Sequence, residues 1–362
     1  MQKIQKGTAE MTEVKKPDRK AMEAASYRWN HIAKPLHGLG VLEEDIIRIA
    51  GMTGDPDVDL EKKAVVIMCA DNGVVEEGVS QTGQEVTAAV TRNFTNGNAS
   101  VCIMAERAGA QVVPVDVGVA DSLEGCGRVY PLRSCKIMAG TRNFAKEEAM
   151  TEAEARAAVQ VGIGQVRHLK ETGVRIIATG EMGIGNTTSS SAVASVLLGK
   201  EAAEVTGRGA GLSDEALERK IHVIEKAIAL HRPDWRDPLD VIRKVGGLDI
   251  AGLAGVFLGG AMYGVPIVVD GFISAVAALT AERLCPGCAD YMIASHVSAE
   301  PAGEMVLNAL GLKPVIRAGM CLGEGTGAVA VLPLLQMAAD VYRRMSTFQE
   351  NDIEEYEEFS HA

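Results

Sequence analysis

Six short runs of apolar, largely β-branched residues recur along the chain, at Ala64–Cys69, Gln111–Val117, Val174–Ala178, Pro266–Val269, Tyr291–Ala294 and Pro314–Ile316. Between them lie segments with apolar residues at helical spacing, among them Glu85–Phe94, Thr151–Leu169, Asp214–Leu230 and Ile273–Leu284. Strands separated by helices pair in parallel, because the crossover carries the chain back to its starting edge. The alternation therefore predicts an α/β fold, a mostly parallel sheet with helices on both faces in three layers. Only 4% of residues are aromatic and 39 are glycine, which suits tight strand-to-helix turns. Ligands of such sheets sit beyond the carboxyl ends of the strands, so the turns after strands are where chemistry is expected.

Residues 1–60 and 330–362 look helical and polar. Chain ends often lie close in space, so they are expected to join as a small helical domain beside a catalytic domain at 61–329. The acidic tail Glu350–Ala362 is expected to fray. Ile250–Val269 carries no charge and has the length of a membrane span. Five glycines and Pro266 interrupt it and Asp270 ends it. It reads as a buried helix to about Tyr263 followed by a buried strand, Pro266–Asp270.

The formal net charge is −12, and no dense cluster of Lys and Arg is present, which argues against a nucleic-acid partner. Seven scattered cysteines point to a reducing, cytoplasmic setting. The first twenty residues are charged and lack the apolar stretch of a secretory signal. Cys285-Pro-Gly-Cys288 has no second ligand pair at zinc spacing, and the histidines show no HExxH pattern, so no metal is expected.

Five segments carry candidate chemistry, four of them just past an expected strand. In VRIIATGEMGIGNTT, Val174–Thr188, a strand runs into Gly180, Gly183 and Gly185, and Asn186, Thr187 and Thr188 then open a helix. Close backbone approach and unpaired N–H groups there suit a phosphate, although a plain glycine turn reads the same way. The segment is neither a dinucleotide fingerprint, which needs Gly at 188, nor a P-loop, which needs Lys at 186. In AGMCLGEGTGA, Ala318–Ala328, Glu324 lies between Gly323 and Gly325. Turn glycines explain the flanks but not the carboxylate, which has the exposure a general base needs. In ASHVSAEP, Ala294–Pro301, Ser295, His296 and Ser298 are possible phosphate donors; equally, Ser298 reads as a helix cap with Pro301 in the first turn. A Ser–His dyad is discounted, because sequence neighbours rarely face each other and no G-x-S-x-G elbow is present. In GRGAGLSDEALERK, Gly207–Lys220, Ser213 reads as an N-cap and Lys220 as either a phosphate ligand or a solvated helix lysine. The polar loop ADNGVVEEGVSQTGQ, Ala70–Gln84, offers substrate contacts.

Taken together, these motifs resemble the nicotinate-nucleotide–dimethylbenzimidazole phosphoribosyltransferase family. The likeness runs from about Lys34 to Met345 and is carried by KPLHGLGVLE, CADNGVVEEGVS, VPVDVGV, GEMGIGNTT, KVGGLDI, VVDGFISA, ASHVSAEP and LGEGTGA. The resemblance implies a Rossmann-like sheet with a small helical domain from both chain ends, and a homodimer. It implies phosphoribosyl transfer from nicotinate mononucleotide to an aromatic base, giving α-ribazole 5′-phosphate and nicotinate for the cobamide lower ligand, with no cofactor. Glu324 matches the catalytic base and Glu181 a second essential carboxylate. Gly183, Gly185, Asn186, Thr187, Lys220, Ser298 and Gly323 fall to the nucleotide and its phosphate, and Leu322, Thr82, Val90 and Ser80 to the incoming base. Where many relatives read K-P-P-G-S-L-G, this chain reads KPLHGLG, with Leu36 and His37. Val90 stands where some relatives place a base-contacting glutamine, and Thr82 where a relative has serine. These departures touch the base pocket and leave the phosphate motifs intact. An enzyme using phosphoribosyl pyrophosphate would want an acidic pair before a T-G-x-T-type loop, which VVDGF at 268–272 lacks. A non-catalytic sensor on the same fold would have no need of both Glu181 and Glu324.

Overall fold

The computed structural model describes residues 14–356. The opening segment of the chain, and the end of the acidic tail, lie outside the described residues. Six strands, β1 (Lys63–Ala70), β2 (Ala110–Gly118), β3 (Arg133–Ser134), β4 (Ile176–Met182), β5 (Ile267–Val269) and β6 (Met292–Ala294), form one sheet in the order β3-β2-β1-β4-β5-β6. Every pairing is parallel. All eight residues of β1 are buried, and because successive side chains point to opposite faces, both faces are covered. Helices Glu152–Glu171 and Leu248–Tyr263 pack closely in one layer. A Cβ at Gly162 would lie 2.0 Å from the Gly252 carbonyl, and one at Gly255 2.0 Å from the Val159 carbonyl, so glycine on each helix permits the approach. The chain leaves the central strand β1 toward β2 and later returns to its other side with β4. A crevice therefore opens at the carboxyl ends of β1 and β4, the usual ligand position in such sheets.

The helical expectations map onto helices Glu85–Asn96, Glu152–Glu171, Asp214–His231 and Phe272–Leu284. Thr151 and Glu154 close a capping box at the start of the second. The uncharged stretch resolves into helix Leu248–Tyr263 and β5. No helix among the described residues is long and apolar enough to cross a membrane. One expected strand does not form. Pro314–Ile316 contributes a single parallel bridge, Ile316 to His296, with Val297 N–H donating to the Ile316 carbonyl at 3.0 Å. Pro314 has no N–H to offer a ladder, and the segment rejoins a loop at once. Conversely, the two-residue β3 carries no apolar run.

His37 adopts φ 57°. The K-P-P-G-S-L-G pattern to which KPLHGLG is likened has glycine here, the residue that takes a left-handed backbone most easily.

The first and last described α-helices meet. Arg28, on helix Arg19–His31, donates from Nε to the Tyr342 carbonyl at 2.8 Å. The Trp29 and Tyr342 rings lie 5.2 Å apart, the Tyr342 hydroxyl donates to the Pro56 carbonyl at 2.8 Å, and Ile32 bridges Thr347. We propose that these segments form one helical unit. Its expected boundary at 329/330 falls inside helix Thr326–Arg344, which runs from the crevice to the chain ends. Trp29 is 1% exposed and its Nε1 has no hydrogen-bond partner. Trp29→Ala is therefore expected to cost about 3–5 kcal/mol in denaturant melts. Trp29→Phe, which keeps a ring and removes the unpaired N–H, is expected to cost less than about 1.5 kcal/mol.

Candidate active site

The turn after β4 has the expected build. Gly185, at φ 92°, precedes helix Asn186–Leu198, which starts without a side-chain cap. A Cβ at Gly183 would fall 2.3 Å from the Ala70 carbonyl at the end of β1, so glycine is required for the turn to lie against β1. A second wall is the turn before helix Thr326–Arg344, which packs against β4: a Cβ at Gly180 would fall 2.3 Å from the Glu324 carbonyl. Glu324 takes a left-handed conformation, φ 62°, a strain of about 1–3 kcal/mol for a residue with a side chain. Two N–H groups at that helix's N-terminus, those of Gly325 and Ala328, donate to the Asp270 carboxylate at 3.2 and 2.8 Å. Asp270, just past β5, thus caps a helix from another part of the chain and fixes the turn that carries Glu324.

Between these walls lies an open cleft. Glu181, Gly183, Asn186, Thr187, Ser298, Leu322, Gly323, Glu324 and Val90 line it, and Glu181 lies against the Gly323 turn, where a Cβ would come 2.5 Å from its Oε1. Gly185 and Ser80 line an adjoining smaller recess shared with Gly183, Asn186 and Thr187. Thr82 lies outside both, exposed, its N–H 3.3 Å from the Ser80 hydroxyl. The cleft is chemically divided. Val90, Met182, Ile184, Phe272, Ile273 and the exposed Leu322 supply apolar surface for a flat ring, and Thr187, Ser298 and the loop at Gly209 supply polar surface.

Lys220 is a buried lysine, not a solvated one: its side chain is fully enclosed, and Nζ donates to the Thr187 hydroxyl at 2.9 Å and the Gly207 carbonyl at 3.0 Å. Burial lowers its pKa to about 8. Ser213 caps the helix that carries it, accepting from the Ala216 N–H at 3.3 Å. Ser298 does not cap a helix. The next one begins at Gly303 behind Ala302, and the Ser298 hydroxyl instead accepts from the Glu300 N–H at 3.3 Å. Contrary to the sequence reading, Ser295 Oγ and His296 Nδ1 do approach, to 3.0 Å. Yet Ser295 is fully buried, with Oγ 2.6 Å from the Val269 carbonyl to which it donates, so it is no nucleophile. Burial lowers the His296 pKa.

Sequence reasoning missed the carboxylate cluster beneath the cleft. Asn186 Nδ2 donates to both Glu181 and Asp249, the latter at 3.0 Å. Burial, then the nearby Asp249 charge, push Glu181 up to about 8; burial pushes Asp249 to about 7 and Asp270 to about 6. Glu324 is also raised, by burial first and by the Asp270 charge, while the Val101 N–H at 3.3 Å acts the other way. A signal existed for two of these residues: Asp249 is the one charge entering an apolar helix, and Asp270 ends an apolar strand. Among the described residues, no group of three or more His, Cys, Asp or Glu is arranged to hold a metal ion.

A family model described as Phosphoribosyltransferase matches residues 14–353. The chain belongs to that phosphoribosyltransferase family. A nicotinate-nucleotide–dimethylbenzimidazole phosphoribosyltransferase from Acetivibrio thermocellus is 49% identical over 336 residues, covering 93% of this chain and 95% of that protein. A relative of the same name from Clostridium acetobutylicum is 46% identical over 339 residues, covering 94% and 95%. The crystal structure of CobT from Thermus thermophilus superposes with a TM-score of 0.88 at 39% identity, covering 93% of this chain and 100% of that one.

A carboxyl whose folded pKa is raised holds its proton more tightly when folded. Its contribution to stability is full below the unfolded value of about 4.3 and is lost as pH rises through the folded value, about 8 for Glu181. Glu181→Gln removes that loss. The difference in melting temperature, variant minus wild type, is expected to become more positive between pH 5 and pH 8.5; a flat difference would refute the buried, proton-holding carboxyl.

Proposed function

We propose that this chain transfers the 5-phosphoribosyl group of nicotinate mononucleotide to an aromatic lower-ligand base such as dimethylbenzimidazole. Nicotinate leaves and α-ribazole 5′-phosphate forms, in the synthesis of the cobamide nucleotide loop. The observation that carries this reading is a single cleft lined by Glu324, Glu181, Thr187 and Ser298, with the buried Lys220 bonded to the Thr187 hydroxyl. The names of relatives matching nearly the whole chain support it.

The chemistry follows from the parts. In the donor, nicotinate is a quaternary pyridinium, so it departs with its bonding electrons and becomes neutral at nitrogen. The Gly183–Thr187 turn, Lys220 and Ser298 hold the phosphate, while Leu322, Val90 and Ser80 flank the base, so that binding supplies proximity. One nitrogen of the azole attacks C1′ from the face opposite nicotinate, which turns a β-glycosidic bond into an α-bond. Its other N–H becomes acidic as charge develops, and Glu324 takes that proton. A carboxylate raised above its ordinary pKa is a better-matched base near neutrality. Protonated in the empty cleft, Glu181 is driven toward its ionised form by the pyridinium charge of the arriving donor. We also propose that the chain works in the cytoplasm, where its seven free thiols stay reduced.

Glu324→Gln is expected to lower kcat about 10²–10⁴-fold with nucleotide binding nearly unchanged. The acid limb of the wild-type profile should lie above the ordinary glutamate pKa of about 4.3, because activity falls as the raised carboxyl is protonated, and the variant should lose that limb. In the same assay, Lys220→Ala should raise the KM for nicotinate mononucleotide more than that for the base. Near wild-type turnover by Glu324→Gln beside a dead Glu181→Gln would move the base to Glu181. We further propose a homodimer, on family resemblance; sedimentation of an active sample should show a dimer, and an active monomer would reject it.

A further inference from the structure

Glu300 is not explained by phosphate binding or by the proton transfer. It lies in the loop after β6 and lines the cleft. Its Oε2 is buried without a hydrogen-bond partner. The side chain lies over Gly207, where a Cβ would come 1.8 Å from Oε2. The nearest cation it influences is Lys220, whose protonated form its charge favours, while Lys220 Nζ spends its bonds on Thr187 and the Gly207 carbonyl. An unpaired buried carboxylate oxygen is costly, and beside a phosphate it would also repel the ligand. Such a group is retained where the ligand brings a donor to it.

The chemistry of the donor nucleotide leaves few choices. At neutral pH the phosphate offers mainly acceptors, and the nicotinate carboxylate offers only acceptors. The azole N–H belongs to the other end of the cleft, with Glu324. The donors that remain are the two ribose hydroxyls, which join the phosphate end to the base end. On the reading given under Proposed function, we propose that Glu300 recognises the ribose, its carboxylate turning from Gly207 to accept a hydrogen bond from the 2′- or 3′-hydroxyl. Glu300 then selects ribonucleotides over deoxyribonucleotides, and the Ser298 hydroxyl, which accepts from the Glu300 N–H at 3.3 Å, holds the loop in place.

The test is a cycle of substrate and protein changes. Nicotinate mononucleotide and its 2′-deoxy and 3′-deoxy analogues are compared on wild type, Glu300→Gln and Glu300→Ala, with thermal melting to show that each variant is folded. For wild type, one of the deoxy analogues should lose roughly ten- to hundred-fold in kcat/KM, the range for a hydrogen bond to a charged group. In Glu300→Ala that penalty should shrink to within about two-fold, because the parent nucleotide has fallen to the level of its analogue. Glu300→Gln, which keeps an acceptor without the charge, should fall between. A merely structural role would slow all three nucleotides alike and leave the wild-type penalty in place, which would overturn the proposal. Equal use of all three nucleotides by wild type would overturn it too. Absence of any nicotinate release from the parent nucleotide by wild type would instead overturn the transferase reading on which the proposal rests.

Discussion

The candidate site depends on one capping interaction between distant parts of the chain. Asp270 leaves the end of β5 and accepts hydrogen bonds from Gly325 and Ala328, at the start of a helix that is last in the α-helical order. Those N–H groups would otherwise be unpaired, and the helix dipole favours the anion. The bonds hold Glu324 in a left-handed conformation that it would not adopt alone. The geometry therefore comes from the sheet: β5 is pinned between β4 and β6, Asp270 follows β5, and Glu324 follows Asp270. A carboxylate held by two neighbouring elements is preorganised, which is where much of an active site's electrostatic advantage arises.

Burial gives that arrangement its chemical character. Glu181, Asp249, Asp270 and Glu324 gather within or beneath one cleft, all raised by desolvation before any charge acts on them. Four acidic groups beside a cleft would repel an anionic nucleotide if all were ionised. Raised pKa values reduce that repulsion while the cleft is empty and leave charge to be recovered when a cationic pyridinium arrives. Lys220 is shifted the other way by the same cause, burial; on the proposed function a phosphate beside it restores the charge that burial disfavours.

Much of this was legible in the sequence, for reasons that differ by residue. The strands of the sheet's interior are visible because both faces are buried and the runs are uninterrupted, whereas β3 is two polar residues at an edge. Pro314–Ile316 has the composition of a strand but lacks a donor at its first residue, and it yields one bridge. Glu324 stands out because a carboxylate between glycines has no propensity reason to be there. Lys220 was ambiguous, because helical periodicity does not reveal what packs over a residue: only the Gly207–Gly209 loop, folded back on it, separates a buried lysine from a solvated one. Asp249 carries a signal as the one charge entering an apolar helix, but what it does, like what Glu300 does, is legible only through neighbours. Asp249 is tied to Glu181 by an amide five residues further along the chain from Glu181, and Glu300 faces a loop that periodicity does not place.

The meeting of helices Arg19–His31 and Thr326–Arg344 has a consequence for how the molecule comes into being. Arg28 finds its carbonyl partner 314 residues later, and β1 must accept β2 on one side and β4 on the other. Contacts so remote along the chain make folding slow, because loop closure comes before the contacts that reward it. During synthesis the N-terminal helix emerges with its Trp29 face uncovered and stays so until the last helix arrives. That same last helix brings Glu324 to the cleft. Completion of the hydrophobic seam between the first and last described helices and completion of the candidate site are thus one event, so a chain still lacking the final helix lacks the candidate base of the proposed function and, through its exposed aromatic face, is a ready client for chaperones.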